Sequence, residues 1–305
     1  MLFQLFSVSL GVRRAAHLVV PAGTSMRASG DQDHSGRGVS KPVEIPVHVD
    51  NETGVMLPDF PGALAHSFWR AQELTLLRRE CDAVQAAAVL DFGCGDGSFA
   101  SLVVKEGSRI AYGVDIDPVA LEVAAGYGIY DRLVTFERMG DLEAGSVDFA
   151  FSCSVLEHTT DLPGCLAAIA RVLRPGGRFA FTVPSPAFTS HMAELVDSDF
   201  AESCNEKMYH RNLLSAEAWQ ALLTAAGFEV VEQKSFQPIS VTRTYFGLTV
   251  LNERQLGRLP FVSQVASRQM RRRLCNEIAS SIGEHSSDGA NHFFVARRIS
   301  RNTEH

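Results

Sequence analysis

Short apolar runs alternate with stretches of helical period along most of this chain. Residues 86–92, 109–116, 133–137, 146–152 and 178–184 are rich in Val, Ile, Leu and Phe and read as buried strands. The stretches 97–106, 118–126 and 161–174 read as the helices between them. Further on, Ser215 is placed to cap a helix that runs to Ala226, and Gly227 stops it. Strands are predicted again at 229–236 and at 292–297. Such alternation implies a parallel sheet with helices on both faces. Upstream, Leu64, Phe68, Trp69, Leu74, Leu76 and Leu77 fall at roughly helical spacing within 62–80. Between the last two strands a hairpin would suffice, yet residues 238–291 intervene. There, Leu256, Leu259, Val262, Val265 and Ala266 form an apolar stripe.

The first strand ends abruptly. Val89-Leu90-Asp91-Phe92 runs into Gly93-Cys94-Gly95-Asp96-Gly97, an acid followed by a glycine at every second position. Glycine lacks a Cβ, so a ligand can lie directly on such a main chain. A loop of this kind, at a strand's carboxyl end, is where open α/β sheets bind nucleotide-like cofactors. A dinucleotide site wants G-x-G-x-x-G/A; Gly93 and Gly95 fit it, but Ser98 stands third and a glycine falls at 97. The second strand also ends in an acid, Asp115, 115 − 93 = 22 positions after Gly93. That is close to the ~20 expected of a carboxylate that takes ribose hydroxyls.

These stretches resemble the class I S-adenosylmethionine (SAM) methyltransferases. Asp91, Gly93, Gly95 and Gly97 match that family's [DE]-x-G-x-G-x-G motif, and Ile116-Asp117-Pro118 is similar to the segment after its second strand. Ser152-Cys153-Ser154-Val155-Leu156-Glu157-His158 resembles the LEH ending of small-molecule members, and Leu173-Arg174-Pro175-Gly176-Gly177 the turn into their fifth strand. The resemblance covers most of residues 60–298. It implies a doubly wound, Rossmann-like, seven-stranded sheet, with the last strand antiparallel between strands five and six. It also implies SAM as cofactor, with Asp91 on the methionyl ammonium, Asp115 on the ribose and Ile116 on the adenine face. Cys94 lies in the cofactor loop, and Ser152 ends the strand beside it. For the acid that holds the adenine amino group the matching residue is Asp141, with Arg138 as the alternative occupant of that place. His66-Ser67-Phe68-Trp69-Arg70-Ala71 is similar to a segment that covers cofactor and substrate mouth; a surface helix with an aromatic core face remains the other reading, with Trp69 the substrate-side candidate.

The resemblance puts the acceptor at the residues after the fourth strand. His158 is the candidate base, because an imidazole pKa near ~6.5 suits proton removal at neutral pH. Glu157 would orient it or hold a substrate hydroxyl; the alternative is that both residues cap the next helix. Tyr209, His210 and Arg211 are expected to face the same pocket. Neither [ND]-P-P-[YF], the mark of methyltransferases acting on nucleic-acid bases, nor the paired glutamates of arginine methyltransferases occurs here. The expected acceptor is therefore a small molecule, methylated on oxygen or carbon. An NAD-dependent oxidoreductase and a non-catalytic SAM-binding protein are the competing functions; titration with SAM and with NAD separates the first.

Composition narrows the partners. A formal net charge of −7 speaks against a nucleic-acid partner. Six scattered cysteines without a C-x-x-C pair suggest neither zinc nor a disulfide framework, and fit a reducing compartment. No apolar run approaches the ~18 residues of a membrane span. Residues 1–44 read as an extension before a domain at 45–305. Its first 30 residues hold Arg13, Arg14 and Arg27 and no acid, so a cytoplasmic location competes with an organellar transit peptide. From Arg254 to Asn276 there are six arginines and no acid. A basic amphipathic helix within 254–273 fits a membrane surface or an anionic ligand; the bland reading is a solvated helix over the sheet edge.

Overall fold

A computed structural model describes residues 44–59, 64–253, 260–283 and 285–299 of the chain. The targeting expectation for residues 1–30 lies outside these residues. A two-stranded hairpin, β1 (Val47–Val49) and β2 (Met56–Pro58), precedes the long helix α1 (Leu64–Val84). Then follow β3 (Val89–Phe92), α2 (Ala100–Val103), β4 (Ile110–Asp115), α3 (Pro118–Ala125) and β5 (Tyr130–Thr135). A 3-10 segment, Phe136–Asp141, leads to β6 (Val147–Cys153), and a 3-10 turn, Leu156–His158, leads to α4 (Leu162–Val172) and β7 (Leu173–Pro184). Three helices come next, α5 (Pro186–Leu195), α6 (Ser198–Lys207) and α7 (Ala216–Ala225), then β8 (Phe228–Phe236). The helices α8 (Ile239–Glu253) and α9 (Pro260–Gly283) fill the interval before β9 (Asn291–Arg298).

The main sheet has seven strands in the order β5-β4-β3-β6-β7-β9-β8. β3 to β7 pair in parallel, and β9 runs antiparallel to both β7 and β8. This is the doubly wound sheet expected from the alternation, with the last strand inserted as the resemblance implied. The parallel strands are buried on both faces, which explains why they read as continuous apolar runs. Phe149, Phe151, Phe179, Phe181, Phe293 and Phe294 are fully buried in it. Each such ring contributes about 1.5–3 kcal/mol by leaving water.

Several boundaries differ from the expectation. β5 spans Tyr130–Thr135 rather than 133–137, and it ends early because residues 136–141 wind into a 3-10 segment. The helix expected over 97–106 shrinks to Ala100–Val103, since Gly97 is left-handed and Val104 is already extended. The turn expected at 173–177 is a bulge inside β7, where left-handed Gly176 lets the strand resume its pairing with β6. The helices α5 and α6 went unread although their signals are ordinary. Ser185 caps α5 with Pro186 in its first turn, and Asp197 accepts from the Phe200 amide 2.7 Å away to cap α6.

No helix among the described residues is long and apolar enough to cross a membrane. Of the arginine-rich stretch, Arg271 reaches Asp59 at 3.1 Å and Arg272 reaches Glu52 at 2.9 Å, both near the N-terminal hairpin. Arg254, Arg258, Leu256 and Leu259 lie outside the described residues, as do the side chains of Val262, Val265, Ala266 and Arg268.

Candidate functional site

The loops that follow β3, β4 and β6 meet at the carboxyl edge of the sheet. After β3, Gly93, Gly95 and Gly97 all take positive φ, of 81°, 52° and 81°. Such a run of left-handed turns strains any residue with a Cβ. A Cβ at Gly93 would lie 2.3 Å from Val155 of the loop after β6, so the two loops close directly on each other. At Gly95 the same position meets nothing within 4 Å, and that side of the main chain is open.

Asp115 organises this loop from the end of β4. One of its carboxylate oxygens accepts from the Gly95 amide at 2.8 Å and the other from the Asp117 amide at 3.0 Å. Both oxygens keep further acceptor capacity. Asp117 in turn caps α3 through the Val119 amide, with Pro118 in the first turn. Ile116 beside it is 58% exposed and Val119 65% exposed, an apolar pair unusually open to solvent. Asp91 lies beneath, buried between Gly113 of β4 and Phe151 of β6. Burial pushes its carboxyl up to about 7, with Asp115 adding to the rise, against a hydrogen bond from the Tyr130 hydroxyl. Cys94 is a buried filler: burial, then Asp91 and Asp115, push its thiol far above the usual range.

Two candidates are placed differently from the expectation. Ser152 is fully buried and donates to the Phe92 carbonyl at 2.8 Å, tying the ends of β6 and β3 together rather than opening toward a ligand. Asp141 is exposed at the end of the 3-10 segment, with Arg138 3.0 Å away in an ion pair. The two residues weighed for one position are thus partners on the surface.

After β6, left-handed Ser154 turns the chain into the Leu156–His158 segment. The His158 Nδ1 lies 3.2 Å from the Tyr209 carbonyl. A carbonyl only accepts, so Nδ1 carries the proton and Nε2 keeps its lone pair. Tyr209 is itself left-handed, which aims that carbonyl; it enters through its main chain rather than its ring. Nε2 is 3.6 Å from Glu157 Oε1, beyond hydrogen-bond reach. The His158 side chain is 41% exposed, yet partial desolvation by its surroundings lowers its pKa below the ordinary imidazole value, and the Arg70 charge adds to that against the bond to Tyr209. Glu157 is almost fully buried, and its Oε2 has no partner. Burial above all, helped by Glu73, pushes its carboxyl up to about 8. The amides of Arg211 and Asn212 both donate to the Glu157 carbonyl, at 2.7 and 3.0 Å, pinning the 209–212 loop to this turn. The Arg211 residue itself is exposed.

Arg70, within the 66–71 segment, and Glu73, which no motif singles out, meet on α1. Arg70 donates to Glu73 Oε2 at 2.9 Å and to the Cys153 sulfur at 3.2 Å, with its guanidinium 6.0 Å from the Phe99 ring beside the glycine loop. Glu73, with no exposure, accepts from Ser154 and Thr182 hydroxyls at 2.7 and 2.9 Å. Burial alone would lower the Arg70 pKa; Glu73, Cys153 and Glu157 outweigh it and keep the group charged. The signal was present: an amphipathic helix whose buried face holds Gln72, Glu73 and Glu80 has polar work to do there. Trp69 stands next to Arg70. It packs 4.9 Å from Tyr245 and 6.2 Å from Phe188, which meets His210 at 5.4 Å, and His210 lies 5.6 Å from His158. Five rings thus form a row that ends at the candidate base. Elsewhere, His48, Asp50 and Cys275 bring ligand-type atoms within 4.8 Å of one another among the described residues. The Oδ1 of that Asp50 is already used by Glu52 and Thr53.

A doubly wound sheet whose first crossover is a glycine loop between two carboxylates defines a class I, SAM-dependent methyltransferase. The sequence profile described as "Methyltransferase domain" matches residues 67–233, more than half of the chain, and the chain belongs to that family. It is 29% identical over 154 residues to the ubiquinone biosynthesis O-methyltransferase of Hahella chejuensis, covering 45% of this chain and 64% of that one. To the protein of the same name from Nitrosococcus oceani it is 25% identical, covering 50% and 73%. The chain therefore spans about two thirds of the length of these curated relatives. In fold it is similar to a protein of Galdieria sulphuraria described as a sarcosine dimethylglycine methyltransferase. That match has a TM-score of 0.52 at 19% identity and covers 83% of this chain and 92% of that one. The SAM-bound geranyl diphosphate methyltransferase gives 0.50 at 15% identity, covering 78% and 92%.

Proposed function

We propose that this chain methylates the hydroxyl oxygen of a small aromatic acceptor, with His158 as general base. The observation that carries the reading is the His158 tautomer: a tied Nδ1 and a basic Nε2, on a loop that closes on Gly93 through Val155. The residues present fit SAM. The open main chain at Gly95 receives it, Asp115 takes the ribose hydroxyls, Asp91 the ammonium group, and exposed Ile116 the adenine face. When bound, SAM supplies an electrophilic methyl on a sulfonium whose leaving group is neutral.

The protein's own work is then alignment and removal of one proton. Alignment supplies ~7–11 kcal/mol in well-oriented systems, and a base typically adds ~10²–10⁴-fold. Nε2 of His158 takes the hydroxyl proton while Tyr209 holds the ring in place. Glu157, protonated near neutral pH by its burial, leaves His158 without a negative neighbour and can itself donate a hydrogen bond to the acceptor. Trp69 and His210, the half-buried rings of the row, give a flat aromatic acceptor a stacking surface, with buried Phe188 and Tyr245 behind them. The relatives' names, O-methyltransferases of ubiquinone biosynthesis, agree with transfer to oxygen. Incubation with labelled SAM and matched panels of phenols, amines and aliphatic acids tests this directly. Label in a phenol ether is the expected product; label only in amines ends the oxygen assignment.

A further inference from the structure

We propose that Tyr130 is the positioning residue for Asp91, its hydroxyl fixing the carboxylate in the orientation that receives the donor's ammonium group. This rests on the reading of Asp91 given above and adds to it a residue on another strand. The Tyr130 hydroxyl donates to Asp91 Oδ2 at 2.8 Å, and both residues are buried. Tyr130 opens β5, two strands away from β3, so its ring must cross β4 to reach Asp91. The chain clears the way with glycine. At Gly113 of β4 a Cβ would sit 2.8 Å from the Tyr130 ring, and at Gly97 of the cofactor loop 3.2 Å from it. Gly113 has no positive φ that would require glycine; its small size makes room for this ring and for the Leu133 side chain, which a Cβ would meet at 2.6 Å. One aromatic side chain therefore packs against β4, touches the glycine loop and ends on the acid beneath it.

The chemistry of the bond has a direction. A phenol can only donate to a carboxylate, and a hydrogen bond to the charged form favours that form. Burial above all, and then Asp115 at the end of β4, oppose the charge of Asp91. Tyr130 is thus the group that favours the ionised form of Asp91 and aims it where a cation is to be held. The Tyr130 phenol itself stays protonated, since burial and the Asp91 charge push it far above its ordinary value.

The test compares the natural chain with Tyr130→Phe and Asp91→Asn. Affinities are measured by calorimetry for S-adenosylhomocysteine and for 5′-methylthioadenosine, which keeps the adenosine but lacks the amino-acid end. Tyr130→Phe retains the ring and its packing, and a thermal melt checks that the fold is intact. The expected result is about tenfold weaker S-adenosylhomocysteine binding near pH 7, the size of a lost hydrogen bond to a charged group. The deficit narrows as pH rises above about 7, while the ligand's ammonium group is still charged, because Asp91 then ionises without help. Binding of 5′-methylthioadenosine stays unchanged. Equal weakening of both ligands, or S-adenosylhomocysteine affinity within about twofold at every pH, overturns the assignment to Tyr130. Unchanged S-adenosylhomocysteine binding in Asp91→Asn would instead remove the Asp91 reading itself, and Tyr130 with it.

Discussion

The two sides of the site are built by different means. The donor side is made of loops of a few consecutive residues, 93–99 after β3 and 115–118 after β4. Their shape is set by left-handed glycines after β3 and by main-chain amides that donate to the carboxylates of Asp115 and Asp117. The side proposed for the acceptor draws Trp69 from α1, Phe188 from α5, Tyr245 from α8 and His210 from the loop before α7, brought together by ring packing across the fold. A surface fixed by backbone geometry tolerates little change and suits a ligand that never varies. A surface assembled from distant side chains can be altered one ring at a time, which suits a variable acceptor.

Substitutions should therefore separate the two sides. The largest effect is expected at the base between them. His158→Ala should lower turnover by about 10²-fold or more with SAM affinity unchanged. In the natural enzyme the acid limb of the rate profile should fall below the ordinary imidazole pKa, because partial desolvation lowers that of His158. Full activity in the alanine variant would remove it as base. Next come the donor loops. Asp115→Ala should weaken SAM at least about tenfold, the scale of a lost charge-assisted pair. Gly93→Ala should do the same by pushing on Val155, while costing about 1–2 kcal/mol of stability through its left-handed φ. Smaller, and on the other side, Trp69→Ala should raise the acceptor KM and leave SAM binding intact. A shift in SAM affinity instead would merge the two sides into one.

The smallest effect is on stability without ligand. Asp91 and Glu157 have folded pKa values raised above their unfolded ones, to about 7 and about 8. The folded state then binds more protons than the unfolded state between about pH 4 and those values. Stability should decline as pH rises across that window and level off above it. Asp91→Asn should flatten part of the slope in thermal melts. A ligand cation that favours ionised Asp91 should also release a proton on binding near neutral pH, read as a buffer-dependent heat.

The same contrast explains what could be read from the chain beforehand. Asp91, the three glycines, Asp115 and the strand alternation are local patterns, and each lies where its spacing implied. Glu73 and Tyr130 were passed over because their meaning is tertiary. Gly113 in the middle of a strand was the one local hint that something large passes there. Ser152 misled for a related reason: its position beside the loop was legible, but the carbonyl of Phe92 that absorbs its hydroxyl was not. The five-ring row needed α5 and α8, and neither helix was read.

The placement of β9 carries a consequence for the life of the chain. It sits between β7 and β8, and β8 pairs with no other strand. Residues 293–296 of β9 are wholly enclosed. During synthesis, then, β8 waits for a strand partner made more than fifty residues later, and the phenylalanine-bearing edge of β7 stays unpaired until that segment arrives.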